Sequence, residues 1–400
     1  MTRQNFFPLA FMIGLSLIPI LSIHAPRSLS FLPILFGVVM SIWWVFIKGE
    51  KLQRPKFYIV TILGVTLLSV LSLTWSFSPV EAYEKILKIA GILFLGIPLI
   101  ALSSSVNREL LKPFLWLFPS GVTIAALLCS FDLATNLKLY FLTHTIEPGK
   151  DVGTAVMNRG VVCTILSYFP ALFFTHKSDL TNKAKYFLIT IMTLSTLLML
   201  SLTQSQSGQM AFALGVLMMF VFPHRYKHAY SILSILIICA MLLTPWIVDM
   251  LYPLLIDDAQ TIPWLKDGYA SNRIEIWNFV MKYAQNSPLY GYGIEATRNI
   301  IFTHDQLHHN SPTVLHPHNF SIQLWMEFGI VGITLGAILF TFLIDKISQL
   351  DIQSRKIIIA VFVATLSVAS IGYGLWQSWW LGEFLFLISL CLIVSKPQQP

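Results

Sequence analysis

Ionised side chains are scarce in this sequence. Asp, Glu, Lys and Arg make up 11% of its 400 residues, less than half the roughly 25% of a typical soluble domain. A chain of this length ordinarily allows two or three soluble domains, but there is too little polar surface here to cover them. The same composition excludes disordered and collagen-like chains. Cysteine is scarce as well. Cys129, Cys163, Cys239 and Cys391 all lie in apolar stretches without CxxC spacing, so neither a disulfide framework nor a thiolate metal site is implied. No Walker loop, dinucleotide fingerprint or HExxH helix is present, which removes the commonest phosphate-loop, dinucleotide and zinc-protease chemistries. What fills the sequence is apolar: 56% of residues are hydrophobic, and a polytopic membrane protein remains. The net charge of +7 is not a nucleic-acid footprint, because the basic residues are scattered between apolar runs as in cytoplasmic loops. The expected partner is the lipid bilayer, with no nucleic acid.

A crossing helix needs about 20 mostly apolar residues. That ruler predicts spans at 6–23, 29–47, 57–75, 85–103, 112–131, 159–175, 186–203, 208–223, 230–248, 320–344, 357–375 and 377–395. The fourth is the least regular, since Lys85 and Lys88 sit inside it and 79–88 could lie in the interface instead. The first has a signal peptide's position, but no small-residue cleavage site follows it, so it is read as a retained span. With the N-terminus inside, sixteen Lys and Arg fall in cytoplasmic segments and ten outside, four of the ten in the long segment 249–318. Long loops weigh little in the positive-inside rule, so both termini are assigned to the cytoplasm. The fold class expected is an all-α polytopic integral membrane protein of about twelve transmembrane helices with a large, partly helical outer loop. The division is nine spans in residues 1–248 with an outer loop at 132–158, the large outer loop 249–318, and three spans in 319–400.

The polar residues that could carry chemistry gather at the outer boundary. Ser271 or Asn272 can cap a helix whose first turn carries Arg273 and Glu275, and Pro288, Gly291 and Gly293 then make a tight turn. The plain alternative is a capped surface helix whose Arg273 snorkels to headgroups. His316-Pro317-His318-Asn319-Phe320 marks the return into the membrane, and an imidazole there can take a proton from a hydroxyl. It can equally be an interfacial side chain bonded to a carbonyl. Arg159, in Asn158-Arg159-Gly160, stands where the 132–158 loop enters the sixth span, as a functional cation or as an anchor. Thr203 to Gln209, with Gln204, Gln206 and Gln209, is too polar for a lipid-facing turn and reads as the lining of a polar cavity or as a plain hairpin. Glu327 is an intramembrane charge, a functional candidate by default unless it only pairs with a nearby arginine. His304, His308 and His309 raise the possibility of a metal, but without a zinc motif, and no metal or cofactor is expected. Arginine forks bind phosphate bidentately and keep their charge, and a histidine beside them can deprotonate an acceptor. That combination suits metal-free chemistry on a lipid-linked diphosphate.

At these residues the sequence resembles a known family. Arg273-x-x-Ile276-Trp277, Pro288-x-x-Gly291-x-Gly293, and His316-Pro317-His318-Asn319-Phe320 continuing through Gln323 to Glu327-x-Gly329-x-x-Gly332 are similar to the O-antigen ligase and polymerase superfamily. The Asn158-Arg159 junction and the Gln-rich 204–209 turn are similar too. The resemblance implies a metal-independent, inverting glycosyltransferase of lipopolysaccharide biosynthesis in the bacterial inner membrane. Its donor would be O-antigen on undecaprenyl diphosphate and its acceptor the lipid A–core, joined on the periplasmic side. It further implies that His318 is the base for the acceptor hydroxyl and that Arg159 and Arg273 hold the donor diphosphate. Arg298, His316, Gln206 and Gln209 become substrate-binding or cavity-lining groups. An O-antigen polymerase using the same donor is the nearest alternative reading, followed by a ligase that glycosylates proteins. A transporter is disfavoured, because no two matched six-span halves are visible.

Overall fold

A computed structural model of the chain describes residues 3–106, 108–145, 152–302 and 311–396. Among the described residues there are helices and loops but no strand. The chain begins with α1 (Arg3–His24), α2 (Leu32–Phe46), α3 (Lys56–Ser72), α4 (Pro79–Leu95), α5 (Ile97–Ser105) and the single turn α6 (Arg108–Leu111). It continues through α7 (Phe114–Ala134), the short α8 (Lys138–Thr143), α9 (Asn158–Lys177), α10 (Asn182–Leu202) and α11 (Gln206–Phe220). Next come α12 (Lys227–Leu242), α13 (Thr244–Leu255), the short α14 (Asp258–Thr261) and α15 (Pro263–Asp267), and α16 (Ala270–Ala284). Three long helices close the fold: α17 (Phe320–Ser348), α18 (Ile352–Ile371) and α19 (Ser378–Val394).

Among the described residues six helical stretches are long and apolar enough to cross a membrane, and the protein is a multi-pass membrane protein on that composition. They are Pro79–Ser105, Phe114–Ala134, Thr154–Lys177, Asn182–Leu202, Phe320–Ser348 and Ile352–Ile371. The pair α12 and α13 passes the same test together but bends by 72°. The sequence ruler drew one straight span over 230–248. The chain instead breaks at Leu243, where Pro245 opens α13 and cannot supply the N–H that would continue the previous helix. Five more apolar helices, Leu9–His24, Leu32–Phe46, Lys56–Ser72, Gln206–Phe220 and Ser378–Val394, are shorter. The core lies where α9 packs among α1, α7, α18 and α19, and most residues of α9 between Gly160 and Phe174 are buried.

The fourth span starts earlier than expected. Helix α4 begins at Pro79, so Lys85 and Lys88 ride on its early turns, and Pro98 restarts the chain as α5 after Gly96. The seventh-to-eighth link is shorter than read from sequence. Gln206 is the first residue of α11, Gln209 lies in its first turn, and Ser205 caps it by accepting from the Gly208 N–H.

Helix α17 carries an interruption that explains the spacing of its glycines. Gly329 has φ 56°, ψ −146°, outside helical space, and the break leaves carbonyls without their usual intrahelical donors. The turn after α16 fills them: Tyr292 N–H donates to Met326 O at 2.9 Å and Gly293 N–H to Glu327 O at 2.9 Å. In return Ile330 N–H donates to Pro288 O at 2.8 Å. Backbone groups left open at membrane depth cost several kcal/mol each, so this interlock fixes the 288–293 turn to α17. A Cβ on Gly329 would stand 2.5 Å from Pro288 O, and one on Gly291 (φ 64°) 2.5 Å from the Glu327 carbonyl carbon. Gly329→Ala is therefore expected to cost ~1–3 kcal/mol from backbone strain alone and to lower the melting temperature of the purified protein in detergent. An unchanged melting temperature would mean that the two segments are not locked together.

Candidate active site at one end of the bundle

The start of α9, helix α16, the segment 314–319, the 372–377 loop and the start of α19 converge at one end of the bundle. Helix α16 was expected to be capped by Ser271 or Asn272. Its N-cap is instead Tyr269, held at φ 55° without a side-chain cap bond. Ser271 and Asn272 therefore sit inside the first turn, with Arg273 one position further on. The helix ends at Ala284, before the Pro288 turn. Trp277, one turn beyond Arg273, donates its indole N–H to Pro317 O at 2.8 Å. That bond ties the arginine helix to the histidine segment.

The histidine segment is held by hydrogen bonds at residues 316 to 319. Asn319 caps α17, its Oδ1 accepting from Ser321 N–H at 2.9 Å and Ile322 N–H at 3.2 Å, as an N-cap side chain does. His318 lies in the left-handed region at φ 57°, a conformation that costs of order 1–3 kcal/mol for a non-glycine residue and persists where neighbours over-determine it. Here Trp277 and the Asn319 cap flank it. Its ring is fixed as well, since His318 Nδ1 lies 2.8 Å from Gly372 O. A carbonyl can only accept, so Nδ1 carries the proton, and in the neutral ring the basic lone pair is on Nε2.

His316 stacks edge-on against His318, with ring centroids 4.3 Å apart. Its Nε2 lies 2.5 Å from the Gln377 side-chain nitrogen, which donates to it. Burial, then His318, Arg298 and Lys85, push its proton affinity down to about 3, so His316 is a neutral acceptor near pH 7. Arg298 and Lys85 share one partner. Glu295 (φ 62°) bonds Lys85 Nζ at 2.9 Å through one oxygen and the Arg298 guanidinium through the other. Lys85 is therefore a site-end residue, which accounts for a lysine inside an otherwise apolar run.

The two other arginines meet at a residue the sequence did not single out. Arg159 lies over the Trp379 ring, 5.5 Å from its centroid, and Tyr373 packs edge-on against the same ring at 4.6 Å. Tyr373 feels both Arg159 and Arg273: burial pushes its phenol up to about 12, and the two guanidinium groups pull the other way. The phenol stays protonated, a hydrogen-bond donor within electrostatic reach of both cations. Burial lowers the proton affinity of Arg273, with Tyr373 opposing, yet guanidinium keeps its charge. Trp379 Nε1 donates to Gln377 Oε1 at 2.7 Å, so a chain of contacts runs from Arg159 through Trp379 and Gln377 to His316 and His318.

Gln206 and Gln209 lie at the start of α11, beside the 372–377 loop, since a Cβ on Gly372 would stand 3.4 Å from Ser207 Cβ. Gln206 donates to Trp264 O. Gln209 accepts from Trp264 Nε1 at 2.9 Å and donates to Leu200 O and Thr203 O at 3.1 and 3.2 Å. Both glutamines thus hold α15 on the start of α11. Glu327 pairs with neutral groups and not with an arginine: it accepts from Gln323 Nε2 at 2.8 Å and from Trp376 Nε1 at 2.5 Å. His304, His308 and His309 lie outside the described residues. Among the described residues no group of three or more His, Cys, Asp or Glu converges.

Residues 191–337 match the O-antigen ligase domain family, a stretch that contains Gln206, Gln209, Arg273, Arg298, His316 and His318. Over most of its length the chain is similar to proteins named as polysaccharide ligases. One from Rickettsia felis is 24% identical over 356 residues, 86% of this chain and 83% of that protein. One from Rickettsia conorii is 26% identical, covering 76% and 72%, and one from Rickettsia bellii is 25% identical, covering 82% and 78%. The chain is thus similar to the O-antigen ligase domain over residues 191–337 and to proteins named as polysaccharide ligases over most of its length.

Proposed function

We propose that the chain transfers an O-antigen glycan from undecaprenyl diphosphate to a hydroxyl of the lipid A–core, on the periplasmic face of the bacterial inner membrane. The observation that carries this reading is the bond from His318 Nδ1 to the Gly372 carbonyl. It leaves Nε2 basic in a site that also holds Arg159, Arg273 and a protonated Tyr373. His318 is the base that takes the proton of the acceptor hydroxyl as its oxygen attacks the anomeric carbon from the face opposite the diphosphate, inverting that centre. Arg159 and Arg273 bind the diphosphate and stabilise the charge that grows on it as the sugar–phosphate bond breaks. Arg298 and His316 contact substrate on the other side of His318. Gln206 and Gln209 act at the margin, through the contacts that hold α15. The donor is already activated, so no nucleotide is required.

The same reading assigns the topology. With the bent pair and the five shorter apolar helices counted as crossings alongside the six long ones, the chain crosses twelve times. The lysine and arginine bias puts both termini inside and the site outside, with 249–318 as the periplasmic loop.

Purified protein in vesicles with undecaprenyl-diphosphate O-antigen and lipid A–core, each withheld in turn, tests the assignment. A ligase needs both lipids. Extension of the donor glycan without lipid A–core would identify a polymerase instead, and glycosylated periplasmic proteins would identify a protein ligase. Because arginines occupy the position that a divalent ion takes in other transferases, transfer is expected to survive EDTA. Loss on chelation with recovery on adding zinc or magnesium would replace the arginine clamp with a metal, His304, His308 and His309 being its first candidate ligands.

A further inference from the structure

Glu327 lies two turns inside α17, at 1% exposure, and nothing in the mechanism above uses it. Gln323 Nε2 donates to one of its oxygens and Trp376 Nε1 to the other, and the Glu295 backbone N–H approaches the same carboxyl group. The other end of the Gln323 amide accepts from Leu375 N–H at 2.8 Å. Glu327 and Gln323 therefore grip two consecutive residues of the six-residue loop between α18 and α19. That loop supplies the site with three groups: Gly372 O on His318, Tyr373 beside the arginines, and Gln377 on His316. The carbonyl of Glu327 is meanwhile held by the Gly293 N–H, so the same residue also joins the 288–293 turn.

We infer that Glu327, with Gln323, is a positioning residue: it fixes the 372–377 loop so that the Gly372 carbonyl holds the proton of His318 on Nδ1. The inference rests on the reading of His318 as the base, because only then does the tautomer matter to the rate. A carboxylate is the group that can do this, since two donors converge on it and each needs its own acceptor oxygen. A glutamine in its place offers one oxygen and turns a donor toward Gln323 or Trp376, leaving a buried donor unpaired.

The test uses the full-length protein in nanodiscs, carrying Glu327→Gln or, as a milder change that removes only the indole donor, Trp376→Phe. Two quantities are measured: steady-state transfer, and the 15N NMR signals of labelled histidine, with His318 identified by its loss in His318→Ala. A loop displaced by about 1 Å is expected to lower kcat on the order of 10²-fold with little change in KM for either lipid. The His318 signals should move from the Nδ1–H tautomer toward a mixture. Trp325→Phe is the control, since Trp325 on the same helix donates to Met241 O at 2.9 Å, on α12 and not on the loop. It should perturb stability comparably and leave rate and tautomer unchanged. Unaltered tautomer and rate in both Glu327→Gln and Trp376→Phe would overturn the inference. A shifted tautomer with an unaltered rate would uphold the positioning and overturn the base assignment, so the two failures are distinguishable.

Discussion

A His318→Ala protein is expected to transfer glycan ~10²–10⁴-fold more slowly than wild type, the range general base catalysis supplies, and still to bind the lipid-linked donor. The separation of the two effects is the informative part. Removing the imidazole removes the proposed acceptor for the hydroxyl proton, while Arg159 and Arg273, proposed to hold the diphosphate, remain. Stability should change little, because His318 is only partly buried and its left-handed φ of 57° is no more favourable for alanine than for histidine. Near-normal transfer by His318→Ala in nanodiscs would remove the base from the mechanism.

The residues that define this site were unequally legible in the sequence. Arg159, Arg273, His316 and His318 could be found because each is a polar residue at the edge of an apolar run, and the structure brings all four to one end of the bundle. The Pro288-x-x-Gly291-x-Gly293 turn and the Glu327-x-Gly329 stretch were visible as motifs, but not as two halves of one interlock. Their partnership is made by backbone hydrogen bonds across the fold, and such bonds leave no side-chain pattern to read. Tyr373 was hidden for a different reason. The sequence ruler extended the eleventh span to residue 375, whereas α18 ends at Ile371 and Gly372 to Gln377 form a loop. Those residues are nearly all apolar or aromatic, so hydropathy cannot tell this loop from a helix end. Gln206 and Gln209 illustrate the converse case. Their polarity suggested a cavity, and in the fold their amides are engaged by Trp264 from a distant segment. The fourth span begins at Pro79, before the 85–103 drawn from hydropathy, because Lys85 inside it is paired with Glu295 some two hundred residues away.

Arg273→Lys separates the site reading from a generic anchoring role more sharply than any charge-removing change. The substitution keeps the positive charge and most of the stem, so a residue that merely snorkels toward headgroups would lose almost nothing. A clamp on diphosphate loses much more, because the planar fork makes two parallel N–H···O contacts that a single ammonium cannot reproduce. The loss should appear chiefly in kcat, since the charge on the phosphate oxygens is greatest as the sugar leaves, and one pre-placed donor to such charge is worth ~10²–10³ in rate. The local fold should survive: α16 is held by the Trp277 bond to Pro317 O and by its packing on α13 and α17, neither of which involves the guanidinium. Arg159→Ala is expected to weaken donor binding as well as turnover, because it removes the charge outright and leaves the Trp379 face without its cation. Both variants should reach wild-type yield. The measurement is transfer together with donor binding for each purified protein in nanodiscs. Near-normal kcat for Arg273→Lys would reduce that arginine to an interfacial anchor and leave Arg159 as the residue proposed to hold the diphosphate.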